Sequence, residues 1–345
     1  MSARALCLHA AHDLRLEAAA VPEPGPGEVT VRLGAGGICG SDLHYLQDGG
    51  IGRIRVREPI VLGHEAAGTI EAAGPGVDLA PGQPVALNPS RPCGSCRFCA
   101  EGLAQHCLAM RFAGSAMHLP HSQGFFRDRL TLPAAQCVPL PAGTGLTEGA
   151  CAEPLAVCLH ALGQAPELAG RRVLVTGAGP IGVLVTALAA RAGAAEVVTT
   201  DLQDHALDVA ARMGATTPLN VGRSPDALTP WQADRGRIDV AFECSAAPAA
   251  IRAALSALRP RGTLVQVGGA GDTPLPLGEI VSREITLRGS FRFHGEFAQA
   301  VALIATRAVD VRPMLAPPVP LERAADAFAL AADRSRAVKV QLSFA

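Results

Sequence analysis

The sequence predicts an α/β protein in two parts: a β-rich domain and a doubly wound parallel sheet of six strands with helices on its faces. Three observations support this prediction. Alternating apolar residues and turn signals dominate residues 1–150, whereas short apolar runs alternate with helical patterns after residue 153. The 345 residues exceed the roughly 100–200 expected of one domain. Hydrophobic residues make up 49% of the chain and charged residues 18%, which supports a real core and excludes a disordered chain.

The first part is predicted to contain four short strands, a pattern that suits a small antiparallel barrel with long loops. Proline- and glycine-rich turn signals such as residues 22–28 separate them. The predicted strands are Val29–Leu33, Ile60–Leu62, Thr69–Ala73 and Pro84–Leu87.

The second part begins with a helix that Pro154 can open as its first residue. Strands then alternate with helices, which predicts a parallel doubly wound sheet. The predicted strands are Arg172–Thr176, Glu196–Thr200, Ile238–Glu243, Gly262–Val267 and Glu284–Arg288, and the predicted helices are Pro180–Ala192, Gln203–Met213 and Pro248–Leu258.

The end of the chain is expected to return to the first domain, because the sheet is by then complete. Helices near Phe297–Thr306 and Arg323–Ala332 precede a last strand, Val338–Phe344. We therefore expect a first domain at 1–153, a second at 154–290 and a returning segment at 291–345.

Charge and composition exclude several classes of function. The net charge is −1 and the chain has one Trp and one Tyr, so it lacks the basic footprint and the stacking aromatics of a nucleic-acid binder. No run of 18 apolar residues and no secretory leader is visible, so we expect a soluble cytoplasmic protein with no membrane partner. Lys339 is the only lysine, which excludes a Schiff-base mechanism unless Lys339 lies in the site.

A dinucleotide site is predicted at residues 177–182, where Gly177, Gly179 and Gly182 form G-x-G-x-x-G between a strand and a helix, with Pro180 and Ile181 in the same turn. This arrangement would place a pyrophosphate on the N-terminus of the helix.

Asp201 ends the next strand, nineteen positions after Gly182, where a carboxylate would bind the adenosine ribose. Alternatively, the glycines form only a tight turn and Asp201 caps the following helix. Asp201 would repel a 2′-phosphate and residues 202–206 contain no arginine, so NAD is favoured over NADP.

A structural zinc site is predicted from four cysteines within fifteen positions. Cys93, Cys96, Cys99 and Cys107 have C-x2-C-x2-C-x7-C spacing, and four thiolates satisfy tetrahedral Zn²⁺ without an open position. An Fe–S cluster and four metal-free thiols are the alternatives, but nothing else in the chain indicates electron transfer.

A catalytic zinc site is predicted from three separate segments at 36–44, 63–65 and 152–154. Cys39, His64 and either Glu65 or Glu153 would supply three ligands and leave one position open. A single cysteine or histidine is more often a core residue, so only the combination is informative. Such a zinc would act as a Lewis acid on an alcohol beside a nicotinamide.

With these motifs, the chain resembles the zinc-dependent medium-chain dehydrogenases along essentially its whole length. The glycine motif, GHE at 63–65 and the cysteine lobe at about 88–110 carry the resemblance. Glu153 in AEPLAV is typical of the polyol (sorbitol) dehydrogenase branch, because alcohol dehydrogenases have a zinc-binding cysteine there. Segments such as MRFAGSAM at 110–117 are most similar to bacterial L-idonate 5-dehydrogenases, which reversibly oxidise L-idonate to 5-keto-D-gluconate with NAD or NADP.

The resemblance implies a GroES-like catalytic domain, a Rossmann NAD-binding domain and a homodimer or homotetramer. It makes Cys39, His64 and Glu65 the catalytic zinc ligands, with Glu153 beside the substrate or as a direct ligand. It places NAD contacts at Ile181, Asp201, Val267, Gly268, Gly269, Phe291 and Arg292, and polyol contacts at Tyr45, Phe112 and Arg292.

The resemblance also implies a proton relay through Ser41 and the cofactor ribose to His44, whose ordinary pKa suits exchange with solvent. Without the motif, both would be ordinary polar residues of a loop. Asp42 is expected to orient the His64 ring, its alternative being a solvated turn carboxylate.

A sugar acid differs from a polyol by a carboxylate, so the pocket should hold a spare cation. The candidates are Arg292, Arg111, His118 and His121, of which all but Arg292 are individually more typical of a loop surface.

The leading hypothesis is a zinc- and NAD-dependent dehydrogenase of an aldonate or polyol. A general sorbitol, xylitol or threonine-type dehydrogenase is the alternative within the same class. A non-enzymatic NAD-binding zinc protein is the alternative from another class, and the completeness of the Cys39, His64 and Glu65 set disfavours it.

Overall fold

The computed structural model describes residues 2–269 and 271–344, which form two sheet systems. One is built from the N-terminal strands together with the end of the chain, and the other from residues 172–289. Among the described residues, no helix combines the length and the apolarity needed to cross a bilayer.

The N-terminal part consists mainly of strands. In chain order its elements are β1 (Ser2–Ala10), β2 (Asp13–Ala20), β3 (Glu28–Gly37), α1 (Gly40–Asp48), β4 (Gly50–Ile51), β5 (Ile54–Arg55), β6 (Ile60–Val61), β7 (Glu65–Ala73), β8 (Pro84–Leu87), β9 (Ser90–Arg91), α2 (Arg97–Ala100), β10 (Arg111–Phe112), β11 (Arg129–Pro133), β12 (Cys137–Pro139) and α3 (Leu146–Gly149). All four predicted strands are found, and the prediction of β8 is confirmed to the residue. The other elements of this part, of which β1, β2, α1 and β11 are the longest, were not predicted.

The remaining elements alternate between helix and strand. They are α4 (Ala152–Gly163), β13 (Arg172–Thr176), α5 (Pro180–Arg191), β14 (Glu196–Asp201), α6 (Asp204–Arg212), β15 (Thr217–Asn220), α7 (Thr229–Gln232), β16 (Ile238–Glu243), α8 (Pro248–Ala257), β17 (Leu258–Gln266), α9 (Leu277–Ser282), β18 (Thr286–Gly289), α10 (Glu296–Ala305), β19 (Val319–Pro320), α11 (Ala324–Ala332) and β20 (Gln341–Ser343).

The parallel sheet has six strands in the order β15-β14-β13-β16-β17-β18. This confirms the predicted doubly wound fold. The order reverses direction beside β13, and ligands of such sheets bind at the carboxyl ends of the strands next to that reversal. The sequence analysis missed β15, because Thr-Pro-Leu-Asn offers no apolar run.

The end of the chain returns to the N-terminal sheet, as predicted. Strand β20 pairs with β3, with Gln341 opposite Gly37. On the other side of β3, β7 places Glu65 opposite the same Gly37. Three distant segments of the chain therefore meet at one end of β3.

The N-terminal strands do not pair as one closed barrel, which corrects that expectation. They form a three-stranded sheet, β2-β1-β6, and a seven-stranded sheet, β12-β8-β7-β3-β20-β19 with β11 also on β3. Long connections interrupt the pairing, and an isolated bridge between Ala5 and Arg127 joins the two sheets. Both sheets contribute to one apolar core that includes Leu8, Val31 and Phe126.

Several boundaries differ from prediction, among them those of β17, at Leu258–Gln266, and β20, at Gln341–Ser343, and two others have a clear local reason. Pro154 is the third residue of α4, where its missing N–H costs nothing because first-turn N–H groups have no helical partner. Strand β18 begins at Thr286 instead of Glu284, whose φ of 52° lies outside the strand region.

Candidate active site

The three predicted zinc ligands converge at the end of β3. Cys39 follows this strand, His64 immediately precedes β7, and the register places Glu65 opposite Gly37. One ligand atom from each of Cys39, His64 and Glu65 lies within 4.8 Å of the other two. The sequence left Glu65 and Glu153 as alternatives for the third ligand, and Glu65 is the carboxylate in this set.

Asp42 ties together the two loops that carry these ligands. Its Oδ2 atom accepts a hydrogen bond from Cys39 N at 3.0 Å, and its Oδ1 atom accepts one from Gly63 N at 3.1 Å. Its side chain is fully buried, so the alternative of a solvated turn carboxylate is wrong. The distance from Oδ1 to His64 Nδ1 is 3.9 Å, too long for a hydrogen bond, so Asp42 acts on the loop backbones.

Burial and neighbouring charged groups shift the pKa values of side chains in this cluster. Burial raises the pKa of Asp42, although His64 opposes this. Burial would lower the pKa of His64, but Asp42 and Cys39 raise it, and the net direction is upward.

The donor set fits a zinc ion. Thiolate, imidazole and carboxylate are the three ligand types that zinc accepts in catalytic sites, and three protein ligands leave a fourth position open. Glu65 Oε2 is buried and accepts no hydrogen bond of regular geometry from the described residues. The cation beside this oxygen is the Lys339 ammonium, so the fit to zinc rests on the chemistry and closeness of the three donors.

Lys339, the only lysine, lies in this site. Its Nζ atom donates to Ile38 O at 3.0 Å and forms an ion pair with Glu65 Oε2. Burial would lower the pKa of Lys339, but the Glu65 carboxylate raises it above its usual value. The ammonium is therefore charged and bound to Ile38 O and Glu65, which disfavours a Schiff-base role.

Glu153 lies on α4, buried beside this cluster but outside the set of close ligand atoms. Burial raises the pKa of Glu153 to about 7, with His64 opposing and Glu65 adding to the shift. Glu153 can thus exist in either protonation state near neutral pH.

A cavity of about 360 Å³ extends from Cys39 and Glu65 to the glycine turn of the parallel sheet. It brings together many of the predicted site residues: Cys39, Ser41, His44, Glu65, Gly179, Pro180, Ile181, Val267, Gly268 and Gly269. Lys339 and Arg334 also line it and were not predicted. Other predicted site residues do not line this cavity: Tyr45, His64, Phe112, Glu153, Gly177, Gly182, Asp201, Phe291 and Arg292.

The glycine turn has the geometry that the motif predicts. Gly177 has a φ of 87°, and a Cβ atom on Gly182 would overlap the Gly177 carbonyl oxygen. Asp201 Oδ2 accepts a hydrogen bond from Ala178 N at 2.6 Å, and Oδ1 accepts one from Gln203 N at 2.9 Å. Asp201 therefore joins the end of β14 to the glycine turn, and it also braces the start of α6.

Arg334 approaches the same turn from the other domain. It follows α11, and its guanidinium occupies the space where Gly179 would carry a Cβ atom. Among the described residues, no carboxylate forms an ion pair with Arg334. No local signal predicts this contact, because about 150 residues separate Arg334 from the glycine turn.

The aromatic ring of Phe112 and the guanidinium of Arg292 pack beside the zinc ligand His64. The ring centres of Phe112 and His64 are 5.7 Å apart, and the Arg292 guanidinium lies 4.4 Å from the centre of the Phe112 ring. Arg292 has a φ of 54°, which is uncommon outside glycine and fixes the direction of its side chain. Tyr45 is buried, and its hydroxyl accepts a hydrogen bond from Ala116 N at 3.1 Å.

Phe291, the other aromatic residue beside Arg292, faces the cysteine-rich lobe. Its ring stacks on His106 with centres 5.7 Å apart, and the Arg292 guanidinium lies 4.9 Å from its centre. Arg292 is therefore held between two rings.

Two of the other cationic candidates, Arg111 and His121, hold a loop, whereas His118 contributes only its backbone carbonyl. Arg111 Nη1 donates to Pro120 O at 2.6 Å. Both ring nitrogens of His121 contact backbone, with Nδ1 2.8 Å from His118 O and Nε2 3.0 Å from Arg57 N. Arg292 differs from these residues because its guanidinium packs on Phe112, whose ring adjoins His64, so it is the candidate for a substrate carboxylate.

The four-cysteine lobe fits a second zinc ion. One sulfur atom from each of Cys93, Cys96, Cys99 and Cys107 lies within 4.8 Å of the others, and the Cys96 and Cys99 sulfurs are 3.6 Å apart. Tetrahedral zinc with Zn–S bonds of about 2.3 Å has sulfur–sulfur edges of about 3.8 Å. The N–H and hydroxyl of Ser95 and the N–H of Cys96 lower the pKa of Cys93 to about 6, which favours a thiolate.

Comparisons with known proteins agree with this geometry. Residues 25–142 match the alcohol dehydrogenase GroES-like domain, and residues 180–306 match the zinc-binding dehydrogenase family. The chain is 42% identical to L-idonate 5-dehydrogenase (NAD(P)(+)) of Escherichia coli K12, over 91% of each chain. It is 38% identical to sorbitol dehydrogenase of Homo sapiens, over 94% of this chain and 91% of the relative.

The fold is also similar to solved structures. The crystal structure of the Escherichia coli L-idonate 5-dehydrogenase superposes with a TM-score of 0.95 and 38% identity, covering 100% of this chain and 99% of that chain.

Proposed function

Because the chain belongs to the zinc-dependent medium-chain dehydrogenases, we propose that it oxidises a secondary hydroxyl of a sugar acid with NAD, converting L-idonate to 5-keto-D-gluconate. The observation that carries this proposal is the meeting of Cys39, His64 and Glu65 in a cavity that continues to the glycine turn at Gly179. The similarity to the Escherichia coli enzyme supports the sugar acid as substrate.

Two zinc ions per chain are our inference from the two donor sets that match the family motifs. Cys39, His64 and Glu65 would hold one ion with an open position, and the four cysteines would hold a structural ion. The catalytic zinc, when bound, lowers the pKa of the hydroxyl that is to be oxidised.

Ser41 and His44 would carry the released proton. Ser41 and His44 line the cavity together, so the Ser41 hydroxyl can take the proton and His44 can pass it to solvent. The His44 side chain is 61% exposed, so it is in contact with solvent, and its Nδ1 atom lies 3.0 Å from Asp48 Oδ2. Glu153 stands beside this route as a carboxyl that can hold a proton near neutrality.

NAD is the favoured cofactor because the Asp201 carboxylate at the end of β14 would repel a 2′-phosphate bound there. Asp201 ends β14, and its register partner Asn220 ends the neighbouring β15. The nearby Arg223 pairs with Asp204 at 2.9 Å, so its charge is already balanced. The relative's use of NAD(P)(+) makes the comparison of both cofactors part of the test.

A homodimer or homotetramer would form through the edge of the parallel sheet. All four residues of the edge strand β18 are exposed, and the nearby Leu277 and Val281 are 67% and 75% exposed. Unpaired edges with apolar neighbours are ready to pair with a second copy. Sedimentation velocity at micromolar concentration measures this assembly.

All ten cysteines are free, which suits a reducing compartment, and we place the enzyme in the cytoplasm.

The deciding experiment measures initial rates with NAD and with NADP against L-idonate, D-gluconate, sorbitol, xylitol and L-threonine. We expect the highest kcat/KM with L-idonate and NAD. A higher value with sorbitol, xylitol or threonine would favour the general polyol or threonine-type alternative, and no turnover of any alcohol would favour a binding protein.

Replacing Arg292 with alanine is expected to raise KM for L-idonate about 10- to 100-fold, while KM for sorbitol changes less than about 3-fold. The reason is that Arg292 is the cation beside His64 and Phe112, and an arginine–carboxylate hydrogen bond is worth about 1.5–3 kcal/mol. Steady-state kinetics with both substrates measures the difference. Arg111→Ala is the matched control, and equal effects of Arg292→Ala on both substrates would remove the carboxylate role.

Replacing Arg334 with alanine is expected to weaken NAD binding about 10-fold with little change in zinc content. Its guanidinium lies against Gly179, where the motif places the pyrophosphate, and a charge-assisted hydrogen bond is worth about 1.5–3 kcal/mol. Titration of NADH fluorescence gives the Kd. Arg336→Ala, two residues away and exposed, is the control, and an unchanged Kd in Arg334→Ala would contradict this contact.

A further inference from the structure

Lys339 has a place in the site that the family motifs and the proposed reaction do not assign. We propose that Lys339 is a positioning residue for the catalytic zinc: its ammonium holds Glu65 in place and couples retention of this zinc to docking of the C-terminal segment at 338–344. The inference rests on the proposed zinc site of Cys39, His64 and Glu65.

The geometry connects the lysine to two ligand segments at once. Its Nζ atom donates to the carbonyl of Ile38, the residue before Cys39, and the same ammonium pairs with the side chain of Glu65. Lys339 itself is held by its backbone, since its N–H donates to Met314 O at 3.0 Å and its carbonyl accepts from Ala316 N at 2.9 Å. The end of the chain therefore presents a fixed cation to the zinc ligands.

Burial makes the pair energetically important. The Lys339 and Glu65 side chains are 1% and 2% exposed, so water cannot replace either partner. Removing one member of a buried ion pair leaves the other charge uncompensated, which is strongly unfavourable. Without the ammonium, the Glu65 carboxylate loses the partner that fixes its orientation, and a poorly oriented carboxylate is a weaker zinc ligand.

The packing around the pair indicates why lysine is used here. A Cβ atom on Gly37 would lie 2.9 Å from Lys339 Cε and would overlap Glu65 Oε2. Arginine serves at every other strongly basic position of the chain, and the compact ammonium of lysine stands at this crowded one.

The test measures zinc content and zinc affinity in the full-length protein. Wild type and Lys339→Met are loaded with zinc and dialysed, zinc per chain is determined by mass spectrometry, and affinity is measured by competition with a chromophoric chelator. We expect two zinc ions in wild type. We expect the catalytic zinc of Lys339→Met to bind 10- to 100-fold more weakly, as is typical when a partner of a metal ligand is removed. The four-cysteine zinc should be unchanged.

Two further variants separate positioning from general packing. Gly37→Ala keeps the ammonium but displaces the Lys339–Glu65 pair, so it should also weaken binding of the catalytic zinc. This variant provides the test if Lys339→Met does not fold. Val340→Ala removes buried apolar atoms from the same segment without touching the charge, so it should retain both zinc ions.

Each outcome decides between the hypotheses. Wild-type zinc affinity in Lys339→Met overturns the positioning role while the proposed dehydrogenase stands. Equal loss of zinc in Val340→Ala also overturns it, because packing would then explain the effect. A single zinc ion in fully loaded wild type, in contrast, contradicts the proposed catalytic site itself.

Discussion

Replacing Cys39 with serine is expected to lower kcat/KM for L-idonate by at least about 10³-fold and to release one of the two zinc ions. Cys39 is one of only three protein ligands at the proposed catalytic site, and a hydroxyl is a poor substitute for a thiolate. A loss of about 10³-fold corresponds to about 4 kcal/mol of transition-state stabilisation, within the several kcal/mol that a Lewis-acid metal supplies. Initial rates and zinc analysis of the same preparation measure both effects.

Two other cysteines provide the controls. Cys137→Ser changes a buried cysteine outside both donor sets and should retain two zinc ions and most of the activity. Cys93→Ser should lose the structural ion, with a lower Tm as its main effect. Near wild-type turnover in Cys39→Ser would show that Cys39 does not hold a catalytic ion.

Replacing Gly182 with alanine is expected to abolish measurable NAD binding and to destabilise the parallel-sheet domain by about 3 kcal/mol or more. The new Cβ atom would overlap the backbone carbonyl of Gly177, which has no rotamer with which to move away. Helix α5 must therefore shift away from β13, and the helix N-terminus that would hold the pyrophosphate moves with it. NADH fluorescence and denaturant unfolding measure the two effects.

The matched control is Gly163→Ala at the end of α4. Space is open around this glycine, so alanine should leave stability unchanged or raise it slightly. If Gly182→Ala bound NADH with wild-type affinity, close helix–strand contact would not be what this motif requires.

Several parts of the site were accessible from the sequence because their signals are local. The four cysteines lie within fifteen positions, and the glycine motif sits between one strand and one helix, so short-range spacing contains the information. The dispersed set of Cys39, His64 and Glu65 was predictable only as a combination of motifs. Its geometry depends on the pairing of β3 with β7.

Other parts depend on contacts that no local pattern encodes. The sequence analysis expected Asp42 to orient the His64 ring, whereas its oxygens are occupied by the backbone of two ligand loops. Arg111 and His121 are equally plausible cations in the sequence. In the structure they hold a loop, whereas Arg292 packs on Phe112 beside His64.

By itself, the sequence determined the alternation of strands and helices, the glycine turn and the two sets of candidate metal ligands, because periodicity and spacing act over a few residues. Tertiary structure alone decided that Glu65 joins the close ligand set. It also decided that, from the far end of the chain, Lys339 reaches this ligand set and Arg334 reaches the glycine turn. The physical reason is that strand pairing brings residues 37, 65 and 341 side by side across some 300 positions of the chain. Because this packing excludes water, the buried Lys339 ammonium is the partner that holds Glu65 in place.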